Sequence, residues 1–196
     1  MVNFQPVIKW TGSKRKQSEK IVSLMPNEID TYYEPFVGGA SVLFQLLHSN
    51  IKVNKYICSD INNDLITLWN EIKNHPNNLI ESYTHLWKEL NVDENIERKK
   101  QYFYQVRRRF NKNRDPSDFL FLSRTCTNGL IRYNSKGEFN TLFHFSRKGI
   151  KPKTLAEIIL NWSNKLNEYN VKFINCSYEQ INSNENDFFI FRSTLC

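Results

Sequence analysis

The chain has 196 residues, 40% hydrophobic and 24% charged, enough for one substantial core or a core with a smaller appended module, and no apolar run approaches a bilayer span. Met-Val-Asn-Phe-Gln-Pro at the start carries no basic-then-apolar pattern, so no signal peptide is expected there, and the four cysteines (Cys58, Cys126, Cys176, Cys196) lack zinc-ligand or disulfide-framework spacing. A cytoplasmic location and no metal site are expected. The net charge of +7 points to a polyanionic partner. Lys14-Arg15-Lys16 and Arg107-Arg108-Arg109 are basic clusters, and Arg114, Arg124, Arg132, Lys136, Arg147 and Lys148 follow, several interleaved with aromatics, which favours nucleic acid.

In chain order, Lys9-Trp-Thr-Gly-Ser-Lys14 is a short basic loop, followed by a helical pattern at Ile21, Val22 and Leu24 that ends before Pro26. Such a loop entering a helix suits an anion. Thr31-Tyr-Tyr33 reads as a strand, Glu34-Pro-Phe-Val-Gly-Gly-Ala-Ser41 as a glycine turn, and Val42 to Leu47 as a helix. Strand, glycine turn and helix let backbone approach a nucleotide-like ligand. Lys55 to Ser59 is a second strand, and Asp60 follows it at about the 20-residue spacing at which an acid meets ribose hydroxyls. The Gly38-Gly39 pair lacks the G-x-G-x-x-G spacing of an NAD-type site.

A helix from Asp64 to Asn70 buries Leu65, Leu68 and Trp69, and His75-Pro-Asn-Asn78 is a turn that ends it. Leu79 to Leu90 and Ile96 to Phe110 are amphipathic helices, the second with a core stripe of Tyr102, Phe103, Val106 and Phe110 and with Arg107 to Arg109 partly opposite, so that some of the three are expected to face phosphates. An apolar helix from Phe119 runs into the turn Asn128-Gly129, and Tyr133-Asn-Ser-Lys-Gly137 makes a hairpin-like loop. Thr154, with Glu157 three residues on, caps a helix over Leu155 to Tyr169. Val171 to Cys176 is a strand, and a last one comes at Asn186 to Ile190.

Four strings, Lys9-Trp-x-Gly-x-Lys14, Glu34-Pro-Phe-Val-Gly-Gly-Ala-Ser-Val42, Ser59-Asp-Ile-Asn-Asn-Asp-Leu-Ile66 and Asn128-Gly-Leu-x-Arg-Tyr-Asn-x-x-Gly-Glu-Phe-Asn140, stand in this order, and the chain resembles the Dam-type DNA adenine-N6 methyltransferases along essentially its whole length. The resemblance implies an α/β fold: a Rossmann-like sheet that binds S-adenosylmethionine, with an inserted, mainly helical DNA-recognition domain. The expected boundaries are 1–70 for the first part of the cofactor-binding core, 71–165 for recognition and 166–196 for the return to the core. It implies that Trp10, Lys14, Phe36, Gly38, Gly39, Ser41, Asp60, Ser177 and Tyr178 hold the cofactor. It implies that Lys9, Asn128, Leu130 and Arg132 face double-stranded DNA, with Leu130 as a wedge and Arg132 reading a guanine edge. Thr127 stands where some relatives carry an aromatic. The implied activity is methyl transfer to adenine N6 in a short, GATC-like site by a monomer, with a cognate endonuclease as a further partner; a non-catalytic DNA-binding remnant is the alternative.

The family also carries Asp-Pro-Pro-Tyr after a strand, where acceptors draw on the amino group of a flipped base. These 196 residues contain no such string. One permitted set of codons behind Phe189 to Cys196, read one base later, spells Leu-Tyr-Leu-Asp-Pro-Pro-Tyr, so the expectation is a frame-shifted, inactive N-terminal fragment. All strands on one side of the ligand crevice are then expected beyond Cys196, leaving an open sheet edge.

Overall fold

The structure, a computed structural model, describes residues 5–181 and 187–190. Its centre is a parallel sheet of β1 (Glu28–Glu34), β2 (Lys52–Asp60), β3 (Lys172–Asn175) and β4 (Asp187–Phe189), in the order β3-β2-β1-β4. Order reverses at β1, which sends the chain outward to β2 and β3 on one side and takes β4 on the other. The crevice beyond the carboxyl ends of β1 and β4 is where such sheets hold ligands. β4 corrects one expectation: a strand on the far side of this switch point lies within the chain, its Phe189 paired in register with Tyr33 and stacked on it at 4.6 Å.

One face of the sheet carries Tyr32, Tyr56, Cys58 and Phe173, all buried. Against it pack α2 (Ser41–Leu46), α3 (Asn63–Asn74) and α7 (Pro152–Glu168), where Trp69 stacks on Phe173 and meets Trp162 edge-on. On the opposite face Tyr33 and Ile57 are half-buried and Ile174 is exposed. The short α1 (Ser18–Ser23) packs on α2, leaving Leu24 in solvent.

Between α3 and α7 the chain builds α4 (Pro76–Leu90), α5 (Ile96–Asn113) and α6 (Pro116–Thr125). Tyr83, Leu86, Phe103, Val106, Phe110 and Phe119 are buried among them, and α6 also packs on α3 while α7 packs on both α3 and α4. Two helix starts differ from expectation for one reason. Proline sits well at a first helical position, where its missing N–H costs nothing. Pro76 therefore opens α4 instead of belonging to a turn, and Pro152 opens α7 with Lys151 at the N-cap, so Thr154 lies inside the first turn and caps nothing.

Candidate functional site

Where β1 ends, the backbone turns sharply. Gly38 (φ +47°) and Ala40 (φ +55°) are both left-handed, and Ala40 N-caps α2. The turn is tied to its neighbours through main chain. Val37 N–H donates to Ser59 O (2.9 Å), Gly38 N–H to Asp60 Oδ2 (3.3 Å), and the Trp69 indole N–H to Gly38 O (3.0 Å). Above it lies Trp10. A Cβ on Gly38 would stand 2.6 Å from Trp10 Cδ1, and one on Gly39 3.3 Å from Trp10 Cβ. The glycines thus make room for an indole as well as for a ligand.

Trp10, Lys14, Glu34, Phe36, Ser41 and Ile190 are among the residues lining a cavity of about 50 Å³ beside these glycines. Glu34, unremarked within its motif, is fully buried here, and its Oε2 accepts the Tyr32 hydroxyl (2.8 Å) and the Leu43 N–H (3.1 Å). Burial pushes its carboxyl up to about 8, against the opposing pull of those two donors. Asp60 closes β2, with Oδ1 accepting Asn62 N–H (3.0 Å). Tyr178 is half exposed and lies 5.5 Å, centroid to centroid, from Phe36, and Ser177 caps the short turn Tyr178–Gln180. A larger hollow, about 500 Å³, lies between α2 and α7, and none of the nine expected cofactor residues lines it.

The other predicted set gathers at a second turn. After α6, Thr127–Gly129 forms a single 3-10 turn with Asn128 left-handed and exposed, Leu130 half-buried and Arg132 exposed. Thr127 holds the turn's base by donating its N–H to Leu142 O (2.8 Å). Gly129 is left-handed as well, and its missing Cβ leaves space for Lys9, whose Cδ would otherwise stand 2.6 Å away. Burial, then Arg147 and Arg124, pull the Lys9 amine down. The Arg124 guanidinium, lowered to about 10 by burial, is bonded to the carbonyls of Pro6 and Val7. Arg147 was read in the sequence only as one of many surface cations, and here it stands beside Gly129 and Lys9.

From Arg132 the chain makes its hairpin: Tyr133 bridges Phe139, Asn134 N–H donates to Glu138 O (2.9 Å), and Asn140 N–H donates to Arg132 O (3.0 Å). The hairpin is hung from side chains far away in sequence. Asn111 of α5 grips Phe139 on both its N–H (2.8 Å) and its carbonyl (3.1 Å), and Arg107 reaches the carbonyls of Asn140 and Thr141 (both 3.3 Å). Arg109 pairs with Asp118 at 2.5 Å. Arg107 and Arg109 are thus bonded to groups of the protein itself, Arg109 at an exposed position.

A four-stranded parallel sheet with a glycine turn and a strand-end acid at its switch point is the arrangement of a Rossmann-like methyltransferase. Residues 10–191 match the D12 class N6 adenine-specific DNA methyltransferase description, and the chain belongs to that family. It is 42% identical over 152 residues to Type II methyltransferase M.MjaIII of Methanocaldococcus jannaschii, covering 71% of this chain and 52% of that protein. It is 38% identical over 146 residues to a DNA adenine methylase of Haemophilus influenzae, with 72% and 48% covered, and 30% identical over 188 residues to Type II methyltransferase M1.LlaDCHI of Lactococcus lactis subsp. cremoris, with 91% and 61% covered. The chain spans about half the length of the first two and three-fifths of the third. Among the described residues no helix is long and apolar enough to cross a membrane.

Proposed function

We propose that this chain is the cofactor-binding and DNA-reading part of an S-adenosylmethionine-dependent methyltransferase acting on adenine N6 in a short, GATC-like duplex site. The observation that carries the reading is the adjacency of the two turns, with Trp10 over Gly38 and Lys9 over Gly129. A lining with an ammonium (Lys14), a buried carboxyl (Glu34) and a hydroxyl (Ser41) suits the amino-acid end of the cofactor in chemistry. About 50 Å³ admits only that end, since whole small-molecule sites run to roughly 300–1,000 Å³. The nucleoside belongs along Asp60 and the Phe36–Tyr178 pair. When bound, S-adenosylmethionine supplies an electrophilic methyl group. On the DNA side, Lys9 and Arg147 offer cations to a phosphate, the exposed Asn128 and the half-buried Leu130 form the wedge, and Arg132 reads a base edge.

Residues 1–70 and 166–196 make the cofactor part in this reading, and 71–165 the recognition part. The protein works as a cytoplasmic monomer, with an endonuclease of the same specificity as a further partner. The 196 residues bind and do not transfer, because they contain no Asp-Pro-Pro-Tyr. The position where that motif is expected, 191–196, lies outside the described residues. The test is methylation of GATC-containing duplex with labelled S-adenosylmethionine, by this chain and by a version read in the shifted frame. Label from the second alone is the expected result. Label from the first overturns the inactivity, and label from neither, on GATC or on random-sequence DNA, overturns the assignment.

A further inference from the structure

We propose that Asp64 is a positioning residue through which occupation of the pocket at Gly38 and Asp60 sets the orientation of the Arg132 hairpin. The inference rests on the reading of that pocket as the cofactor site and of the hairpin as DNA-facing. Helix α3 grows out of the short loop that follows Asp60 at the end of β2. Asp60 accepts Asn62 N–H, and the Asn62 side chain caps the helix by accepting Leu65 N–H at 3.0 Å. Asp64 therefore stands in the first turn of α3, four residues after Asp60. Further along the same helix, Trp69 holds the carbonyl of Gly38. Gly38 is thus held at its N–H by Asp60, just ahead of α3, and at its carbonyl by α3 itself.

The other side of Asp64 faces the hairpin. Its Oδ2 accepts the Tyr133 hydroxyl at 2.6 Å and the Arg114 guanidinium at 3.1 Å. Tyr133 directly follows Arg132. Burial first, and then the bond to Asp64, push the Tyr133 hydroxyl well up, so it remains a donor at any working pH. Arg114 continues to Gly137 O at 2.6 Å in the hairpin tip, with its guanidinium over the rings of Phe110 and Tyr133. Its backbone is left-handed (φ +56°), and its N–H is held by Phe110 O at 2.8 Å, which fixes where the guanidinium starts. One carboxylate oxygen thus ties the limb beside Arg132 and the tip of the hairpin to the helix that flanks the pocket. A ligand that meets Asp60 acts on the capping loop, and a contiguous chain of short bonds carries the effect to Arg132.

Hydrogen exchange of the full 196-residue chain, with and without S-adenosylhomocysteine, tests this without knowledge of the DNA site. Binding should slow the amides of 132–140 by roughly fivefold or more, the lower end of ordinary site-to-site coupling. In Tyr133→Phe the ligand should still bind, weakened by no more than the roughly fivefold that reciprocal coupling allows, while the change in hairpin exchange largely disappears. Asp64→Asn keeps an acceptor for Tyr133 but loses the charge opposite Arg114, and should retain part of the response. A purely structural role would speed hairpin exchange equally with and without ligand, and that result overturns the proposal, as does an undiminished response in a folded Tyr133→Phe chain. Failure of S-adenosylhomocysteine to bind the unaltered chain overturns the cofactor reading, and the proposal with it. Binding with no change at 132–140 overturns the proposal alone.

Discussion

The turn at Gly38 and the hairpin tip at Gly137 both rest on glycines with left-handed backbones, and they are held in opposite ways. At Gly38 the fastening is main chain and core: hydrogen bonds to Asp60 and Trp69 and an indole against the Cα. At Gly137 a Cβ would meet nothing within 4 Å, and the loop is held from outside by Asn111, Arg114 and Asp64. The first is part of the interior. The second is hung on the surface by side chains from two helices, which lets a reading element be exchanged without disturbing the sheet.

The sharpest break of this contrast is the same substitution at both places. Gly38→Ala must strain the left-handed backbone and drive a methyl to 2.6 Å from the Trp10 ring, displacing the indole, so a loss of about 3 kcal/mol is expected in urea unfolding. Gly137→Ala meets only the backbone penalty, about 1 kcal/mol. Equal losses would erase the distinction.

Glu34 gives the interior turn a pH dependence that the hairpin should lack. In the unfolded chain its carboxyl returns to an ordinary value near 4.5, while the native carboxyl sits at about 8. Between those values the native state keeps a proton that the unfolded state has released, so this contribution makes stability fall as pH rises through the window and level off above it. Glu34→Gln keeps an acceptor for Leu43 N–H and removes that slope. Urea midpoints across about pH 5 to 8 measure it, and a slope unchanged in the variant would refute the assignment.

The smallest stability effect is expected at Arg132, exposed at the start of the hairpin. Arg132→Ala should shift unfolding by no more than about 0.5 kcal/mol. It should still cost about 1–3 kcal/mol of discrimination between cognate and altered duplex in a competition assay. Loss of affinity that is uniform across sequences would instead make Arg132 a phosphate contact.

The glycine turn was legible because strand, left-handed backbone and helix follow one another within a dozen residues, and each demands its own residue types. Asn128-Gly129 was legible for the same reason. The indole over Gly38 was not, because nothing local to either residue announces the other. Nor were the anchors of the hairpin: Asp64 and Tyr133 are 69 positions apart, and each sits in a motif where its neighbour draws the attention. Pro76 was misjudged as a single residue, since proline suits both a turn and a first helical position. Thr154 with Glu157 had the letters of a capping box one turn too late.

Lys9 and Trp10 are consecutive residues, and each fills the gap left by a glycine of a different turn. The two turns are therefore coupled through side chains that leave adjacent positions of one backbone, a single peptide unit of about 3.8 Å between their Cα atoms. A link with no residue between its two ends has little slack. One residue inserted between them would lift either the lysine or the indole from its seat, whereas loops elsewhere absorb such an insertion.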